Sequence, residues 1–393
     1  MSYQSLAEAV AFLENSGELI RITRPVDGCL ELAEIQRRAY KKGSPAILFE
    51  SVRGSQFPVL TNLFGTENRA AKIFGKSLGI SGKIVGLKAN PSAIRRMSLA
   101  DILSVGTGAV ASLPKKISAA NAPVLKNRIS VEDLPKIKCW PDDGGNFITL
   151  PQVYTEDPAH PGIMKSNLGM YRIQLDGNQY LKNREIGVHY QIHRSIGVHH
   201  AAALSAGKEL KVSIFVGGPP AHTLAAIMPL PEGLSELLFA GMLGGRRFRY
   251  ALYDGYTVSA DADFCILGTI SRQVKPEGPF GDHLGYYSLT HPFPVMNVEH
   301  VFHRDDAVWP HTVVGRPPQE DTTFGKLIHA ITEPMVPKTL PGIKAIHAVD
   351  EAGVHPLMLA VGTERYTPYE EDDCPREILT QACSLNVRWQ NTF

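Results

Sequence analysis

Short predicted strands alternate with short predicted helices from Ser5 to Phe74, and this order constrains the fold more than any other feature. The first helix begins after Ser5, where Glu8 completes an S-x-x-E capping box, and Gly17 occupies the position of a helix C-cap. Apolar patterning and turn residues predict the elements that follow, which are strand 18–23, helix 31–40, strand 46–49, strand 58–63 and helix 66–74. Such alternation is typical of an α/β domain, which we assign to residues 1–115.

The rest of the chain has a different pattern, in which β signals dominate. Seven prolines between residues 112 and 162, with little periodicity, predict a connecting region that leads into a second domain over residues 116–320. Residues 169–175 alternate as a strand. Further predicted elements are strand 211–216, helix 221–228 and helix 234–243. Helix 326–331 and strand 356–361 predict a third α/β unit over residues 321–393.

Charge and cysteine usage exclude several classes of protein. Lys plus Arg number 40 and Asp plus Glu number 39, so the net charge of +1 favours neither nucleic acid nor an anionic membrane. Five scattered cysteines without a C-x-x-C pair predict reduced thiols rather than disulfides or structural zinc. The sequence shows no signal-peptide pattern and no apolar run of about 18 residues, which predicts a cytoplasmic protein.

Four segments carry residues suited to chemistry, and two of these segments are rich in histidine or arginine. In residues 166–172, Asn167 precedes a predicted strand that carries Arg172 on one face; alternatively these are a loop asparagine and an exposed arginine. In residues 188–200, His189 and His193 have the spacing of a helical zinc pair. The glutamate of an H-E-x-x-H motif is absent, so one ligand among several structural histidines, or four structural histidines, fits better.

The other two segments carry carboxylates. Glu236 follows Ser235 near a predicted helix start, where simple capping is the alternative to a functional role. Glu277 and Asp282 lie in one loop rich in glycine and proline. Such a loop can hold both carboxyl groups on one cavity wall, with one ionised beside an arginine and the other protonated; an ordinary turn with exposed acids is the alternative.

Taken together and in this order, the four segments resemble the UbiD family of decarboxylases, which includes 4-hydroxy-3-polyprenylbenzoate, ferulic acid and phenolic acid decarboxylases. The similarity runs from Leu13 to about Ala382. It implies prenylated FMN as cofactor and a divalent metal, Mn²⁺ or Mg²⁺, held by Asn167, His193 and Glu236, with His189 as the alternative imidazole. It also implies a potassium ion beside the phosphate. The residues implied to bind the cofactor are Asn167, Met170, Tyr171, Arg172, His189, Tyr190, Gln191, His193 and Glu236.

The resemblance also implies a catalytic set of Arg172, Glu277 and Asp282. Arg172 would face the substrate carboxylate and pair with Glu277, while Asp282 would donate the proton, which requires a raised pKa. The implied reaction is non-oxidative decarboxylation of an aromatic or α,β-unsaturated acid, with a 4-hydroxybenzoate-type acid of quinone biosynthesis as the first expectation. A menaquinone-pathway naphthoate, a simple phenolic acid, a non-catalytic flavin- or metal-binding protein and a flavin oxidoreductase are the alternatives.

The fold that the resemblance implies is mixed α/β and β. It comprises an N-terminal α/β domain, a central split β-barrel of flavin-reductase type and a C-terminal α/β domain that is partial here, since the similarity fades after residues 375–382. We therefore expect a truncated chain. The resemblance also implies a homo-oligomer, since a long helix of the last domain usually packs on a neighbouring subunit in relatives. A flavin prenyltransferase would supply the cofactor, a polyprenylated substrate would bring peripheral membrane contact, and no nucleic acid partner is expected.

Overall fold

The computed structural model describes residues 2–230, 235–340, 342–352 and 357–362. Its helices are α1 (Leu6–Asn15), α2 (Glu31–Lys41), α3 (Glu67–Phe74), α4 (Lys76–Ala89), α5 (Leu99–Ser112), α6 (Ser195–Ser205), α7 (Pro220–Ile227), α8 (Glu236–Gly244), α9 (Glu320–Thr332) and α10 (Val336–Thr339). Its strands are β1 (Leu19–Ile22), β2 (Ala46–Phe49), β3 (Val59–Thr61), β4 (Lys115–Lys116), β5 (Asn127–Ile129), β6 (Phe147–Ile148), β7 (Pro151–Glu156), β8 (Ser166–Gly169), β9 (Ile173–Gln174), β10 (Glu185–Val188), β11 (Leu210–Val216), β12 (Arg249–Tyr253), β13 (Tyr256–Ser259), β14 (Phe264–Glu277), β15 (His291–His303), β16 (Trp309–His311), β17 (Ile343–Ala348) and β18 (Met358–Gly362).

The alternation predicted for the N-terminal part of the chain, up to Phe74, is confirmed. Ser5 caps α1 by accepting a hydrogen bond from the backbone N–H of Glu8, although the Glu8 carboxylate accepts from Gln4 rather than from Ser5. Thr66 caps α3 in the same way. Strands β1, β2 and β3 form a mixed sheet that β16 completes by pairing in parallel with β3, so this sheet draws one strand from far along the chain.

A nine-stranded antiparallel sheet forms the centre of the molecule, in the order β6-β9-β10-β15-β14-β11-β7-β8, with β5 paired to β15. Alternate residues of β11 belong to different hydrophobic clusters, Phe215 to one and Ile214 to the other, so the sheet separates two cores. No pairing within the described part of the chain joins the end strands β6 and β8 into a closed barrel.

Two predictions for the centre of the chain are wrong. The proline-rich region 112–162 is not a plain connection, because it contributes β4 to β7, and Pro151 opens the buried β7 at a position where a strand tolerates proline. The predicted strand 169–175 is broken into β8 and β9. Between them the chain leaves the ladder, and the N–H of Met170 donates to the carbonyl of Ala226 in α7 instead.

The other sequence predictions concern the remaining helices, the cysteines, membrane spans and the C-terminal residues. Helices α4 and α5 were not predicted, and α9 begins earlier than the predicted helix at residue 326. The thiols of Cys29, Cys139 and Cys265 are free, as expected. Within the described residues, no helix combines the length and apolar character that a membrane crossing requires. The expected loss of similarity after residues 375–382, together with Cys374 and Cys383, lies outside the described residues.

Candidate active site

Arg172 and Glu277 form the centre of the site. Arg172 lies in the break between β8 and β9, and Glu277 ends the long strand β14. The guanidinium donates from Nε to Oε1 at 2.8 Å and from Nη2 to Oε2 at 2.9 Å, and the Glu277 side chain has no exposed surface. Burial raises the pKa of Glu277, but hydrogen bonds from Arg172 and His189 outweigh it and the net shift is downward. The pair is therefore ionised, and its geometry is bidentate.

Aromatic rings pack against both side chains that contact Glu277. The guanidinium carbon of Arg172 lies 4.6 Å from the centre of the Phe280 ring, and Nη2 also donates to Ser288 at 3.1 Å. His189 Nδ1 lies 3.0 Å from Glu277 Oε2, and the centre of its ring lies 3.9 Å from that of Phe293, with the two planes tilted by 30°. These contacts leave Nη1 of Arg172 as the guanidinium nitrogen that points away from Glu277.

Asp282 lies beside this nitrogen, in the loop that follows β14. Its Oδ2 is 3.5 Å from Nη1 of Arg172, and its Oδ1 is 2.5 Å from Nδ1 of His283. The loop passes so close to Trp140 that a Cβ on Gly281 would stand 2.0 Å from the indole, so a glycine is required there. The loop thus holds Glu277 and Asp282 against one arginine, but only Asp282 lines the cavity, so the two carboxyl groups do not share one cavity wall as the sequence predicted.

The pKa expected of Asp282 is wrong in direction. Burial raises the pKa of this carboxyl, but the hydrogen bonds and charge of His283, together with the charge of Arg172, outweigh burial and lower it to about 2. The physical reason is that His283 pairs with Asp282 directly, whereas burial beside Glu277 was expected to dominate. Asp282 is therefore a carboxylate at neutral pH.

A cavity of about 280 Å³ opens in front of these groups. Of the residues predicted to bind the cofactor or act in catalysis, it is lined by Met170, Tyr171, Arg172, His189, Tyr190, Gln191 and Asp282. Because the break between β8 and β9 turns residues 170–172 out of the sheet, three consecutive side chains reach the cavity instead of alternating across a strand. Glu277 stands behind Arg172, outside the lining.

A second cavity of about 190 Å³ adjoins the first, and Met170, Tyr171, Arg194 and Ile227 line both. Asn167, His193 and Glu236 all line this second cavity, so the structure brings the three predicted metal ligands together. Asn167 comes from β8, Glu236 is the first residue of α8, and His193 is exposed in the turn before α6. The two histidines at helical spacing are therefore not on a helix.

The donor set fits a hard divalent cation. Burial raises the pKa of Glu236 to about 7, and among the described residues its carboxylate accepts only backbone N–H groups and has no ion-pair partner. The side-chain Nδ2 of Asn167 is buried without a partner among the described residues, and reversal of the amide would place its oxygen there. An amide oxygen, an imidazole and a carboxylate suit Mn²⁺ or Mg²⁺.

Two histidines of the predicted cluster are structural. His200 accepts a hydrogen bond from the Tyr190 hydroxyl at 2.6 Å and donates to the carbonyl of Ser271 at 2.9 Å. His199 Nδ1 lies 2.9 Å from the hydroxyl of Thr155. Burial lowers the pKa of both imidazoles, which keeps them neutral. His200 positions Tyr190, whose ring forms part of the cavity wall.

Sequence reasoning missed other residues at the cavity. His283 and Arg194 were visible beside Asp282 and His193 but were given no role, and Asp321 had no local signal. Asp321 is the second residue of α9, where an acidic residue is ordinarily explained by the helix dipole. Only the packing of α9 against the loop after β14 brings Asp321 near Asp282.

Comparison with known proteins agrees with the mixed α/β fold. The model of the 3-octaprenyl-4-hydroxybenzoate carboxy-lyase Rift-related domain matches residues 115–317, and that of the corresponding N-terminal domain matches residues 10–83. A protein of Chlamydia muridarum is 40% identical over 373 residues, and a Chlamydia pneumoniae protein named as a 4-hydroxybenzoate decarboxylase subunit is 39% identical over 376 residues. Each alignment covers 92% of this chain but only 62% and 61% of the relative, so the chain spans less than two thirds of their length.

More complete coverage comes from other relatives and from solved structures. An Aquifex aeolicus protein is 35% identical over 93% of this chain and 75% of its own length. The vanillic acid decarboxylase of Sedimentibacter hydroxybenzoicus in closed form superposes with a TM-score of 0.77 at 25% identity, covering 97% of this chain and 78% of the other. An evolved dimeric form of the UbiD-class enzyme HmfF from Pelotomaculum thermopropionicum, in complex with prFMN, superposes with a TM-score of 0.74 at 23% identity, covering 96% and 83%. The chain therefore belongs to the UbiD family.

Proposed function

We propose that this protein catalyses the non-oxidative decarboxylation of an aromatic acid with prenylated FMN. The observation that carries the proposal is the bidentate Arg172–Glu277 pair beside Asp282 at the wall of a cavity. The decarboxylase names of the Chlamydia pneumoniae and Sedimentibacter relatives support the reaction class. The complex of HmfF with prFMN, in a protein of the same fold, supports the cofactor.

Substrate binding would use Nη1 of Arg172. Glu277 and Ser288 engage Nε and Nη2, whereas Nη1 makes only the long 3.5 Å contact with Asp282 and is the nitrogen that would donate to a substrate carboxylate in the cavity. Glu277 holds the guanidinium in one orientation and compensates its charge, so little side-chain entropy remains to be lost on binding. The same geometry places the carboxylate to be lost close to Asp282, whose negative charge opposes it and favours its departure as CO₂.

The cofactor would occupy the two adjoining cavities. Met170, Tyr171, His189, Tyr190 and Gln191 would line its ring system, and Asn167, His193 and Glu236 would hold Mn²⁺ or Mg²⁺ at its phosphate. When bound, the prenylated flavin supplies the electron sink for the negative charge that remains after CO₂ leaves. The protein supplies orientation, exclusion of water and the proton. We assign no ligands to the potassium ion that the family resemblance implies.

The physiological substrate that we favour is a 4-hydroxybenzoate-type acid of quinone biosynthesis. Support comes from the name of the Chlamydia pneumoniae relative and from the description of the matching family. A naphthoate of the menaquinone pathway and a simple phenolic acid are the competing substrates, because Arg172 and Asp282 serve the carboxylate that all three share.

The finer architecture belongs to the same proposal. We infer that the nine-stranded sheet is the split β-barrel of flavin-reductase type, within domains at residues 1–115, 116–320 and 321–393. The antiparallel pairing of the sheet and its position between two cores support this assignment. We further propose that the protein works as a homo-oligomer and obtains its cofactor from a flavin prenyltransferase.

The test is to co-express the protein with a flavin prenyltransferase, purify it and record its absorption spectrum and metal content. We expect bound modified flavin with about one Mn²⁺ per chain, and CO₂ release from 4-hydroxybenzoate or a related acid. An Arg172→Lys variant should lose activity, since a lysine cannot form the bidentate pair, whereas Arg128→Lys, at an exposed position of β5, serves as the matched control. A folded, flavin-loaded protein that releases CO₂ from no aromatic acid would refute the proposal.

A further inference from the structure

His283 pairs with Asp282 at the wall of the larger cavity, which Asp321 also lines. Its Nδ1 is 2.5 Å from Oδ1 of Asp282, and its backbone N–H donates to the same oxygen at 2.7 Å. Both contacts fall on Oδ1, so Oδ2 remains directed toward Arg172. His283, Asp282 and Asp321 all line the cavity, which places three titratable groups beside the position expected for the substrate.

The charges around His283 favour its protonated form. Burial lowers the pKa of the imidazole, but the hydrogen bond and charge of Asp282 and the charge of Asp321 outweigh burial and the opposing charge of Arg172, so the pKa is raised. Asp321 belongs to the first turn of α9. Asp350 is a further carboxylate that interacts electrostatically with Asp321. Burial raises the pKa of Asp321, and the charge of His283 opposes that rise.

We propose that His283 stores the proton that the reaction consumes, and that Asp282 passes this proton from His283 to the substrate carbon. Asp321 is a positioning residue in this relay, because it acts through His283. The inference rests on the proposed function and deepens it, since it names the group that carries the proton before CO₂ is lost.

The need for a store follows from the state of Asp282. A carboxyl whose pKa is lowered to about 2 is almost entirely ionised at neutral pH, so Asp282 alone is a scarce acid. An imidazolium at hydrogen-bonding distance removes this limit, because the proton moves to Asp282 only when negative charge develops on the substrate.

The proton and electron balance is simple. The C–CO₂ bond breaks, CO₂ leaves without its electron pair, and that pair finally forms the new C–H bond. The proton passes from Nδ1 of His283 to Oδ1 of Asp282, and from the Asp282 carboxyl to the carbon. His283 is left neutral and is recharged by a proton from solvent, so one carboxylate and one proton yield one CO₂ and the decarboxylated product.

The first test is a titration that needs no cofactor and no turnover. Imidazole signals of ¹⁵N-histidine-labelled protein are followed by NMR from pH 5 to pH 9, and His283 is assigned as the signal lost in His283→Gln. We expect the His283 pKa to exceed 6.5, and to fall by at least half a pH unit in Asp321→Asn. A His283 pKa at or below 6.5 would overturn the relay. The exposed His160, assigned through His160→Gln, serves as the reference.

The second test compares pH–rate profiles of the loaded enzyme. Wild-type kcat should fall as pH rises through the His283 pKa. In His283→Gln only protonated Asp282 can act, so kcat at pH 7 should drop at least tenfold and the profile should move to acid by at least one pH unit. His160→Gln should retain the wild-type profile. A His283→Gln profile that is scaled down but not shifted would overturn the relay. A wild type that decarboxylates no acid would refute the proposed function, and the titration would then decide only whether Asp282 and Asp321 raise the pKa of His283.

Discussion

Arg172 donates two parallel hydrogen bonds to Glu277, a residue 105 positions further along the chain whose side chain is completely buried. A buried carboxylate is stable only with such compensation, since the loss of one partner leaves an isolated charge. His189 provides a third hydrogen bond to the same carboxylate. The pair therefore contributes to the stability of the fold as well as to the proposed chemistry.

Substitution of Arg172 should show this stability role directly. We expect Arg172→Met to lower the free energy of unfolding by about 3 kcal/mol at pH 7, because Glu277 keeps only His189. The double variant Arg172→Met/Glu277→Gln should recover a large part of that loss. Urea unfolding measures both values, and equal stability of wild type and Arg172→Met would contradict the prediction.

Asp282→Asn should separate catalysis from cofactor binding. The amide cannot relay a proton but has nearly the same shape, so we expect turnover to fall by at least a thousandfold while flavin and metal content stay at wild-type levels. Absorption spectroscopy gives the flavin content and CO₂ release gives the rate. Activity close to that of wild type would remove Asp282 from the reaction.

Glu236→Gln should weaken the proposed metal site. Removal of the only carboxylate among the three predicted ligands should lower metal content at least tenfold after dialysis, and flavin content should fall with it. Glu209→Gln, at an exposed position outside both cavities of the site, is the matched control. Full metal occupancy in Glu236→Gln would show that another group binds the ion.

Glu320 should make stability depend on pH. Its Oε1 accepts the backbone N–H of Phe64 at 2.5 Å, its Oε2 is buried without a partner among the described residues, and burial raises its pKa to about 7. The pKa of Glu320 in the folded protein lies above the ordinary value of 4.5. Its contribution to the free energy of unfolding is therefore complete below pH 4.5 and is lost as pH rises toward 7. The loss amounts to about 3 kcal/mol. In Glu320→Gln the decline in unfolding free energy between pH 5 and pH 8 should be smaller by about that amount, and an unchanged decline would contradict the assignment.

Tyr190→Phe should test the structural role of His200. Loss of the hydroxyl leaves the buried Nδ1 of His200 without a donor, which should cost about 1–3 kcal/mol of stability. Thermal unfolding measures the change, and Tyr286→Phe, at a ring that is 79% exposed, is the matched control with no expected effect. A Tyr190→Phe protein as stable as wild type would show that the hydrogen bond between Tyr190 and His200 does not contribute to stability.

Local patterns predicted a large part of the fold because local physics produces those elements. Ser5 and Thr66 cap their helices through neighbouring N–H groups, and β2 and α3 match the predicted segments closely. The break at residues 170–172 could not be predicted in this way. Residues 169–175 alternate as a strand should, and the competing bond from Met170 to Ala226 is made by a helix that is distant in the sequence.

The amino-acid sequence was sufficient to indicate the family, the four segments of the site and the carboxylate pair opposite Arg172, since these depend on residue identity and spacing within short motifs. Tertiary structure alone decided the charge state of that site. The pKa of Asp282 depends on its distances from His283 and Arg172. Asp321, which interacts electrostatically with Asp282 and His283, belongs to α9, and no short motif links α9 to the loop. Electrostatic energies vary with distance and burial, which no linear motif contains.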